Sequence, residues 1–178
     1  MKKEVKQAKP KRKIKAWLMV VIIIIILILS FYFIILNPAV SKPELEKPAL
    51  LNEMVNGTLV QLDHTHLTYI LTELGYYKIH KNPLNGEVPL LTIRMSDLNK
   101  EFNFTTNRGR VIHVPTSSAL QDVILTSDQE TMVGIYESED VIQATKNKIN
   151  EGKFAAAVLK ETTDLTMKGY MTVYNSLS

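Results

Sequence analysis

The chain has 178 residues, with 21 lysines and arginines against 18 acidic residues, and it has no cysteine, which excludes a disulfide scaffold and cysteine-based catalysis or metal binding. The formal net charge is +3, but residues 1–15 carry eight cations and one glutamate, so the rest of the chain carries about −4. An acidic remainder argues against nucleic-acid binding, because the phosphate backbone is bound by clustered lysine and arginine.

Residues 16–36 form an uncharged, strongly apolar run that predicts a transmembrane helix. About 21 residues at roughly 1.5 Å each span about 31 Å, close to the thickness of a hydrocarbon core. Trp17 at one end, with Phe31, Tyr32 and Phe33 toward the other, suits the headgroup region. The alternatives are a buried soluble helix, which usually keeps a polar edge, and a cleaved signal peptide, whose apolar region is usually shorter.

The charges on either side of this run predict its orientation. The basic tail, residues 1–15, precedes it, whereas Lys42 and Lys47 alternate with Glu44 and Glu46 after it. The positive-inside rule then places the tail in the cytoplasm and the domain outside the cell. The tail could also be a nucleic-acid arm, but beside a membrane span it more simply contacts anionic headgroups. We therefore expect a signal-anchored, single-pass protein of the cell membrane.

Residues 37–52 contain prolines and alternating charges, which predicts an extended linker. Residues 53–178 follow it and are long enough for one soluble domain with its own core. Early in this domain Asp63 or Thr65 can cap a helix, and Gly75 is placed to end it.

Four segments after that helix have the composition of strands or border the turn residues between strands. They are Tyr76–His80, Leu90–Met95, Phe102–Thr106 and Arg110–Val114. A three-residue connection, Asn107-Arg108-Gly109, predicts that the last two form a hairpin, because glycine can adopt a positive φ.

The second half of the domain alternates between strand and helix. Val123–Thr126 predicts a strand, and Ser127 with Glu130 predicts a capping box that opens a helix. Asp140 predicts the cap of the next helix, which Gly152 closes.

The last part of the chain predicts one more strand and a terminal helix. Lys153–Lys160 is apolar at alternate positions on both faces, as expected of a strand that is covered on each side. Thr163 or Asp164 can then cap the terminal helix. One face of this helix is predicted to carry five apolar or aromatic side chains: Met167, Tyr170, Met171, Tyr174 and Leu177.

The order of these elements and four short motifs resemble the sterol carrier protein (type 2) domain. The segment 122–131 is similar to the family's strand with a D-x-x-L-T pattern that runs into a helix, and 149–153 is similar to the helix exit into the last strand. The segments 73–80 and 168–170 resemble the short archaeal-type relatives. The resemblance implies an α+β fold in which helices cover one face of a mostly antiparallel sheet and leave an apolar tunnel.

The same resemblance implies that the domain binds an acyl chain or another amphiphile. We therefore expect a membrane-tethered, non-catalytic domain that binds a lipid or other hydrophobic ligand and has membrane lipids as partners. The alternative is a membrane-anchored structural or protein-interaction module with the same fold and a filled core. Rows of methionine and aromatic side chains at helical spacing are also typical of a hydrophobic core that binds no ligand. The implied lipid-binding residues are apolar positions of the matching segments: Met132, Ile135, Phe154, Met167, Tyr170, Met171 and Tyr174.

Residues that could support catalysis or bind a metal are few, and we expect neither an enzyme nor a cofactor. His64 and His66 open a helix, where side chains two apart diverge, so an exposed helix start is favoured over a metal site. His80 and His113 are predicted in separate strands with apolar neighbours. The acidic residues 137–140 could attract a cation, but a solvated helix cap explains them equally well.

Two asparagines head glycosylation triplets, which are compatible with a domain outside the cell. They are Asn56, in Asn56-Gly57-Thr58, and Asn103, in Asn103-Phe104-Thr105.

Overall fold

The structure, a computed structural model, describes residues 13–36, 40–55, 57–115 and 121–178, and within the first range it describes the side chains of residues 19–30. Most of the predicted basic tail, the start of the predicted linker and the candidate glycosylation site Asn56 lie outside the described residues. The chain divides into two compact units, Met1–Asn37 and Pro38–Ser178.

In the first unit the structure describes one helix, α1, at Lys13–Leu36. Residues 16–36, predicted as a transmembrane helix, lie within α1, and that they span a membrane stays a prediction. From Met19 to Leu29 the described side chains are apolar, and most of them are exposed. Among the residues that the structure describes, no helix is long and apolar enough to cross a membrane.

The second unit has an α+β fold built on a five-stranded mixed sheet. A separate two-stranded ribbon precedes it, formed by β1 (Glu53–Val55) and β2 (Thr58–Val60). In the main sheet the order is β5-β4-β3-β6-β7; β3 and β6 are parallel, and the other neighbours are antiparallel. The prediction of a mostly antiparallel sheet is therefore confirmed. The strands are β3 (Leu91–Met95), β4 (Lys100–Asn107), β5 (Arg110–Val114), β6 (Val123–Ser127) and β7 (Ala155–Val158).

Five helices follow α1 in the second unit, and carboxylate caps begin three of them. The predicted caps Asp63 and Asp140 are confirmed, because each side chain accepts a backbone N–H of its first turn. The cap predicted at Ser127 is wrong: Asp128 accepts from the backbone N–H of Thr131, and Ser127 ends β6. The helices are α2 (His64–Glu73), α3 (Gln129–Glu137), α4 (Val141–Asn150), α5 (Thr162–Met167) and α6 (Tyr170–Leu177).

Two local predictions between α2 and β6 are wrong. The strand predicted at Tyr76–His80 is a 3₁₀ turn at Tyr76–Lys78, because Gly75 at φ 85° reverses the chain and Tyr76 and Tyr77 are both buried rather than alternating. The hairpin is confirmed, but its connection has two residues: Asn107 pairs with Arg110 across Arg108 and Gly109, which both have positive φ. This is the twist that two-residue hairpin loops require.

The predicted single terminal helix is also wrong. Gly169, at φ 86°, separates α5 from α6, and Glu161 rather than Thr163 or Asp164 occupies the cap position. Because the chain breaks at Gly169, Met167 lies in α5 and the other four residues of the predicted apolar stripe lie in α6. Even within α6 the stripe is not buried as a whole: Tyr170 is buried, whereas Tyr174 is 64% exposed.

The core lies between the sheet and the helices. Leu91, Ile93 and Met95 point to one face of β3, and they are at most 3% exposed. They belong to one cluster with side chains of α2 and α3, including Leu67 and Ile135, so helices cover this face. Burial of each such side chain contributes about 1.5–3 kcal/mol.

The segment 40–52 has no helix or strand, yet it is bonded to the rest of the second unit. His66, which is 1% exposed, places Nε2 2.8 Å from the carbonyl oxygen of Ala49. The Tyr136 hydroxyl donates to the carbonyl oxygen of Pro48. The backbone N–H of Leu51 donates to Gln61 at 3.0 Å. The segment predicted as an extended linker thus lies along the domain.

Candidate functional site

The residues expected to line a lipid tunnel occupy very different environments. Met132 and Ile135 are 0% exposed in the core, and Tyr170 is also buried. Met171 and Tyr174 are exposed, whereas Phe154 and Met167 are half-buried. None of these seven side chains lines either of the two cavities described below.

The larger cavity is an open groove of about 400 Å³, which we call the hairpin groove. One wall is the chain that follows the 3₁₀ turn, residues 77–81, and the other is the end of the β4–β5 hairpin, residues 106–109; Val40 closes one side. The sequence forms both walls by turning tightly, at Gly75 and at the Arg108-Gly109 loop.

Packing between the two walls holds the groove in shape. The Thr106 hydroxyl donates to the carbonyl oxygen of Ile79 at 2.6 Å, which joins the walls directly. Ile79 is 2% exposed and Tyr77 is 8% exposed, so they form an apolar floor. A Cβ at Gly109 would collide with the Val40 side chain, so only glycine permits this close approach.

The rim of the hairpin groove is cationic. Lys78, Lys81 and Arg108 are all exposed lining residues, and the lining contains no carboxylate. Among the described residues, none of these three cations forms a salt bridge; the Lys78 ammonium lies 5.7 Å from the centre of the Tyr77 ring. An apolar floor beneath three cations suits a ligand with an anionic head and an apolar chain.

The smaller cavity, of about 280 Å³, differs in its charges. It lies between the end of α2, the 3₁₀ turn, α4 and α6. Its Lys42 and Glu73 form a salt bridge at 2.6 Å, and its remaining charged residue, Lys78, also lines the hairpin groove. This leaves the hairpin groove as the better candidate for an anion.

A second group of charges is buried where α5 and α6 meet the sheet. Lys168 is 1% exposed, and its ammonium lies 2.8 Å from Asp122, 2.8 Å from Asp164 and 3.4 Å from Glu87. Burial acts against the charged form of Lys168, but hydrogen bonds and the charges of Asp122 and Asp164 raise its pKa overall. We call these residues, with Tyr170, the Lys168 network.

The polar side chains of the Lys168 network already form hydrogen bonds or salt bridges with one another and with the backbone. Asp122 accepts from the backbone N–H of Leu90 at 2.9 Å and from the Tyr170 hydroxyl at 3.0 Å, besides Lys168. Burial raises the pKa of the Tyr170 phenol well above its ordinary value, and the nearby Tyr76 and Asp122 raise it further. A saturated ammonium and a phenol that resists ionisation are poor nucleophiles and bases, so this network joins elements of the fold.

Two of the four histidines lie as predicted, because His64 is exposed at the start of α2 and His113 lies in β5, and two do not. His66 is buried rather than part of an exposed helix start, and His80 lies in a loop rather than in a strand. His64 stacks on His113 with ring centres 4.6 Å apart. Desolvation, and then the charge of His64, lower the pKa of His113. Among the described residues, no group of three or more His, Cys, Asp or Glu side chains could hold a metal ion.

Two other predicted features have ordinary structural environments. Asp140 caps α4, and Glu137 and Glu139 beside it are exposed. Asn103 is half-buried in β4, between β5 and β3, where its Oδ1 accepts a hydrogen bond from the Thr92 hydroxyl at 2.7 Å. Glycosylation of Asn103 stays a prediction.

Sequence reasoning missed the hairpin groove and the Lys168 network. Lys78 and Arg108 are 30 positions apart, and Asp122 and Lys168 are 46 apart, so no local spacing relates them. The sequence does contain one local signal for the groove. Gly75 and Gly109 indicate the two tight turns that bring the groove walls into position, but they do not indicate that the walls meet.

No protein-family model matches the chain, and no curated protein matches it. Several solved structures are similar. The ubiquinone synthesis protein UbiJ-SCP2 has a TM-score of 0.35 at 7% identity, over 63% of this chain and 80% of that protein. A conserved hypothetical protein of Thermus thermophilus, whose description mentions a sterol carrier protein, has a TM-score of 0.34 at 11% identity. The match covers 72% of this chain and 89% of that protein.

A third similar structure is palmitated SCP2L2 from Aedes aegypti, with a TM-score of 0.30 at 17% identity, over 62% of this chain and 92% of that one. Sterol carrier domains are therefore among the structural neighbours of this chain. All these TM-scores are below 0.5, so the α+β architecture stands on the strand pairings of the chain itself. Membership of the sterol carrier family, and of its archaeal-type branch, stays a prediction.

Proposed function

We propose that the chain is a membrane-tethered, non-catalytic domain that binds an anionic amphiphile in the hairpin groove. The observation that carries the proposal is the cationic rim: three side chains without salt bridges to described residues surround an apolar floor. The volume of about 400 Å³ lies within the usual range of ligand cavities, about 300–1,000 Å³. The domain resembles a lipid carrier in sequence, but the proposed binding site is the groove rather than the predicted tunnel.

Charge provides the selectivity in this proposal. The chain beyond residue 15 carries about −4, so a strongly anionic surface would repel most of the domain. Lys78, Lys81 and Arg108 are concentrated at one groove, and each cation near an anionic lipid surface contributes about 1 kcal/mol. Affinity for anions should therefore be local to the groove.

The tether is proposed from the sequence. Residues 16–36 are uncharged and long enough for a membrane span, and the basic tail before them favours a cytoplasmic N-terminus. A tether would raise the effective concentration of the domain near its lipid source. Protease treatment of intact cells tests the orientation: digestion of the domain supports an external location, and full protection would reverse it.

Vesicle binding tests the groove directly. Every residue of the core cluster belongs to Pro38–Ser178, so this unit can be studied alone. We expect it to bind phosphatidylglycerol vesicles more tightly than phosphatidylcholine vesicles. The triple variant K78Q/K81Q/R108N should lose on the order of 100-fold in affinity, from about 1 kcal/mol for each cation; asparagine is chosen because it tolerates the positive φ of Arg108.

The matched control removes the same charge elsewhere. K100Q/K146Q/K148Q alters three lysines that do not line the groove, and it should keep most of the affinity. Equal losses in the two triple variants would show that net charge alone is responsible. A fluorescent fatty acid added without vesicles separates capture of a free amphiphile from binding to a lipid surface.

The alternative function, a structural or protein-interaction module, is favoured by one observation. Met132 and Ile135 of the expected tunnel are fully buried in a core shared with β3 and α2, as expected if side chains fill the tunnel. Native mass spectrometry of Pro38–Ser178 discriminates between the two functions. A protein that is consistently free of lipid and does not bind vesicles would support the alternative.

A further inference from the structure

The strand β7 is an exposed edge of the main sheet. All four residues, Ala155–Val158, are exposed, and Val158 is 58% exposed. Leu159, which follows, is 55% exposed. The prediction that both faces of this strand are covered is therefore wrong: among the described residues, nothing buries either face.

The free hydrogen-bonding groups of β7 can be assigned by register. The backbone N–H of Leu159 donates to Asp122 at 2.9 Å, and Ala157 lies opposite Ile124 of β6. Since antiparallel strands alternate their hydrogen-bonded pairs, the odd-numbered residues direct their backbone groups toward β6. The even-numbered residues, Ala156 and Val158, direct theirs away from the sheet.

The two edges of the sheet differ in their protection. Pro115 directly follows β5, and Arg110 begins it, and proline and charge are common ways to blunt an exposed edge. Residues 154–159 contain neither a proline nor a charge. Such an edge is suited to pairing with another strand.

We propose that β7 pairs antiparallel with β7 of a second copy of this chain, with Ala157 opposite Ala157 of the second copy. Even-numbered residues must face even-numbered residues, which restricts the register to steps of two. In the proposed register Ala156 faces Val158 at both ends of the symmetric pair. The same register, continued beyond the strand, would bring Lys153, two residues before β7, opposite Glu161, three residues after it.

Charge favours this register over its two neighbours for different reasons. Centring the pair on Ala156 would place Glu151 opposite Glu161, and centring it on Val158 would place Lys153 opposite Thr163, so that the Lys153–Glu161 contact is lost. Like charges directly opposite each other destabilise a strand pair, whereas the Lys153–Glu161 contacts stabilise it. The pairing would join two five-stranded sheets into one sheet of ten strands. No residue of β7 lines the hairpin groove, so this proposal is independent of the ligand.

Cysteine crosslinking in the full chain tests the pairing, because the natural sequence has no cysteine. A157C should form a disulfide-linked dimer on mild oxidation in membranes, since Cα atoms of a non-hydrogen-bonded pair lie about 4.5 Å apart. The control A155C has the same exposure and lies on the same sheet face, but its two copies would be offset by about 13 Å. It should not crosslink; equal crosslinking of both variants would overturn the proposal.

Charge exchange tests the register. In the A157C background, K153E and E161K should each weaken association about fivefold, by placing like charges opposite each other. The combination K153E/E161K should restore crosslinking, because it exchanges the two charges without changing their pairing. Failure of the combination to restore it, with both single variants weakened, would contradict the proposed register.

Discussion

The lysines of the Lys168 network and of the hairpin groove have opposite surroundings. Lys168 is 1% exposed and lies within 3.4 Å of three carboxylates, which come from three segments of the chain. Lys78 and Lys81 are exposed beside an apolar floor without a carboxylate. A buried cation with saturated partners stabilises the fold, whereas an exposed cation without partners is available to a ligand.

The two groups should therefore respond to different experiments. Removing a charge from the network should change the free energy of unfolding and leave the groove's ligand preference unchanged. Removing a charge from the groove should change the ligand preference and leave the free energy of unfolding unchanged. The following changes test this separation in order of expected effect.

Lys168→Met should have the largest effect, because it removes the ammonium that lies 2.8 Å from both the buried Asp122 and the half-buried Asp164. We expect the free energy of unfolding of Pro38–Ser178 to fall by about 3–5 kcal/mol, measured by denaturant titration. Lys81→Met, the matched change in the groove, should alter it by less than about 0.5 kcal/mol. Similar losses of stability in the two variants would contradict the proposed difference between the Lys168 network and the hairpin groove.

Added salt should have the second-largest effect, and it should act on ligand binding by the hairpin groove rather than on the Lys168 network. Raising the ionic strength screens exposed charges, so binding of phosphatidylglycerol vesicles by the groove should weaken by about tenfold or more between low and high salt. Stability from the buried network should change little, because buried pairs are screened much less. Binding that is independent of salt would indicate that the apolar floor, rather than Lys78, Lys81 and Arg108, carries the affinity.

Gly109→Ala tests the closed side of the groove. The new Cβ would collide with Val40 and would also be strained at φ 73°, so we expect a loss of about 1–3 kcal/mol in stability. Gly86→Ala is the control, because Gly86 has φ 74° and open space around its missing Cβ. Its loss, which reports backbone strain alone, should be smaller. Equal losses would mean that Val40 moves away at little cost.

Acid titration of Asp63 should have the smallest effect. Burial acts to raise the pKa of Asp63, but hydrogen bonds from Thr65 and His66 lower it to about 2. A carboxylate whose folded pKa is lowered stabilises the protein above its unfolded pKa, about 3.9, and this contribution is lost as pH falls toward 2. Because the side chain is 35% exposed, we expect about 1 kcal/mol.

Asp63→Asn keeps a capping side chain and removes the titration. The difference in urea midpoint between the natural protein and this variant should shrink between pH 4 and pH 2, roughly the window set by the two pKa values of Asp63. A difference in urea midpoint that stays constant from pH 4 to pH 2 would contradict the lowered pKa of Asp63.

The features predicted correctly from the sequence depend on neighbouring residues. Asp63 and Asp140 cap their helices, and the β4–β5 hairpin forms, because these signals act within a few positions. The errors occurred where several local signals compete. Ser127 and Asp128 are both good caps, and the choice follows from Ser127 ending β6, where its hydroxyl donates to Lys153 at 3.0 Å.

Other errors came from burial, which local patterns do not determine. An apolar strand such as β7 can be central or at an edge; it lies at the edge beside β6, and no described residue buries either of its faces. Tyr170 and Tyr174 lie four residues apart on α6, yet Tyr170 joins the core, where it contacts Tyr76 and Asp122, and Tyr174 is exposed.

The sequence by itself determined the uncharged run, the basic tail, the acidic remainder, the helix caps Asp63 and Asp140, and the α+β class, because each depends on composition or on contacts within a turn. The tertiary structure alone decided which charges meet. Asp122 reaches Lys168 across 46 positions, and the hairpin brings Arg108 to the groove wall that contains Lys78 and Lys81. Such contacts depend on the register and packing of distant strands and helices, so they emerge only when the whole sheet and its helices are assembled.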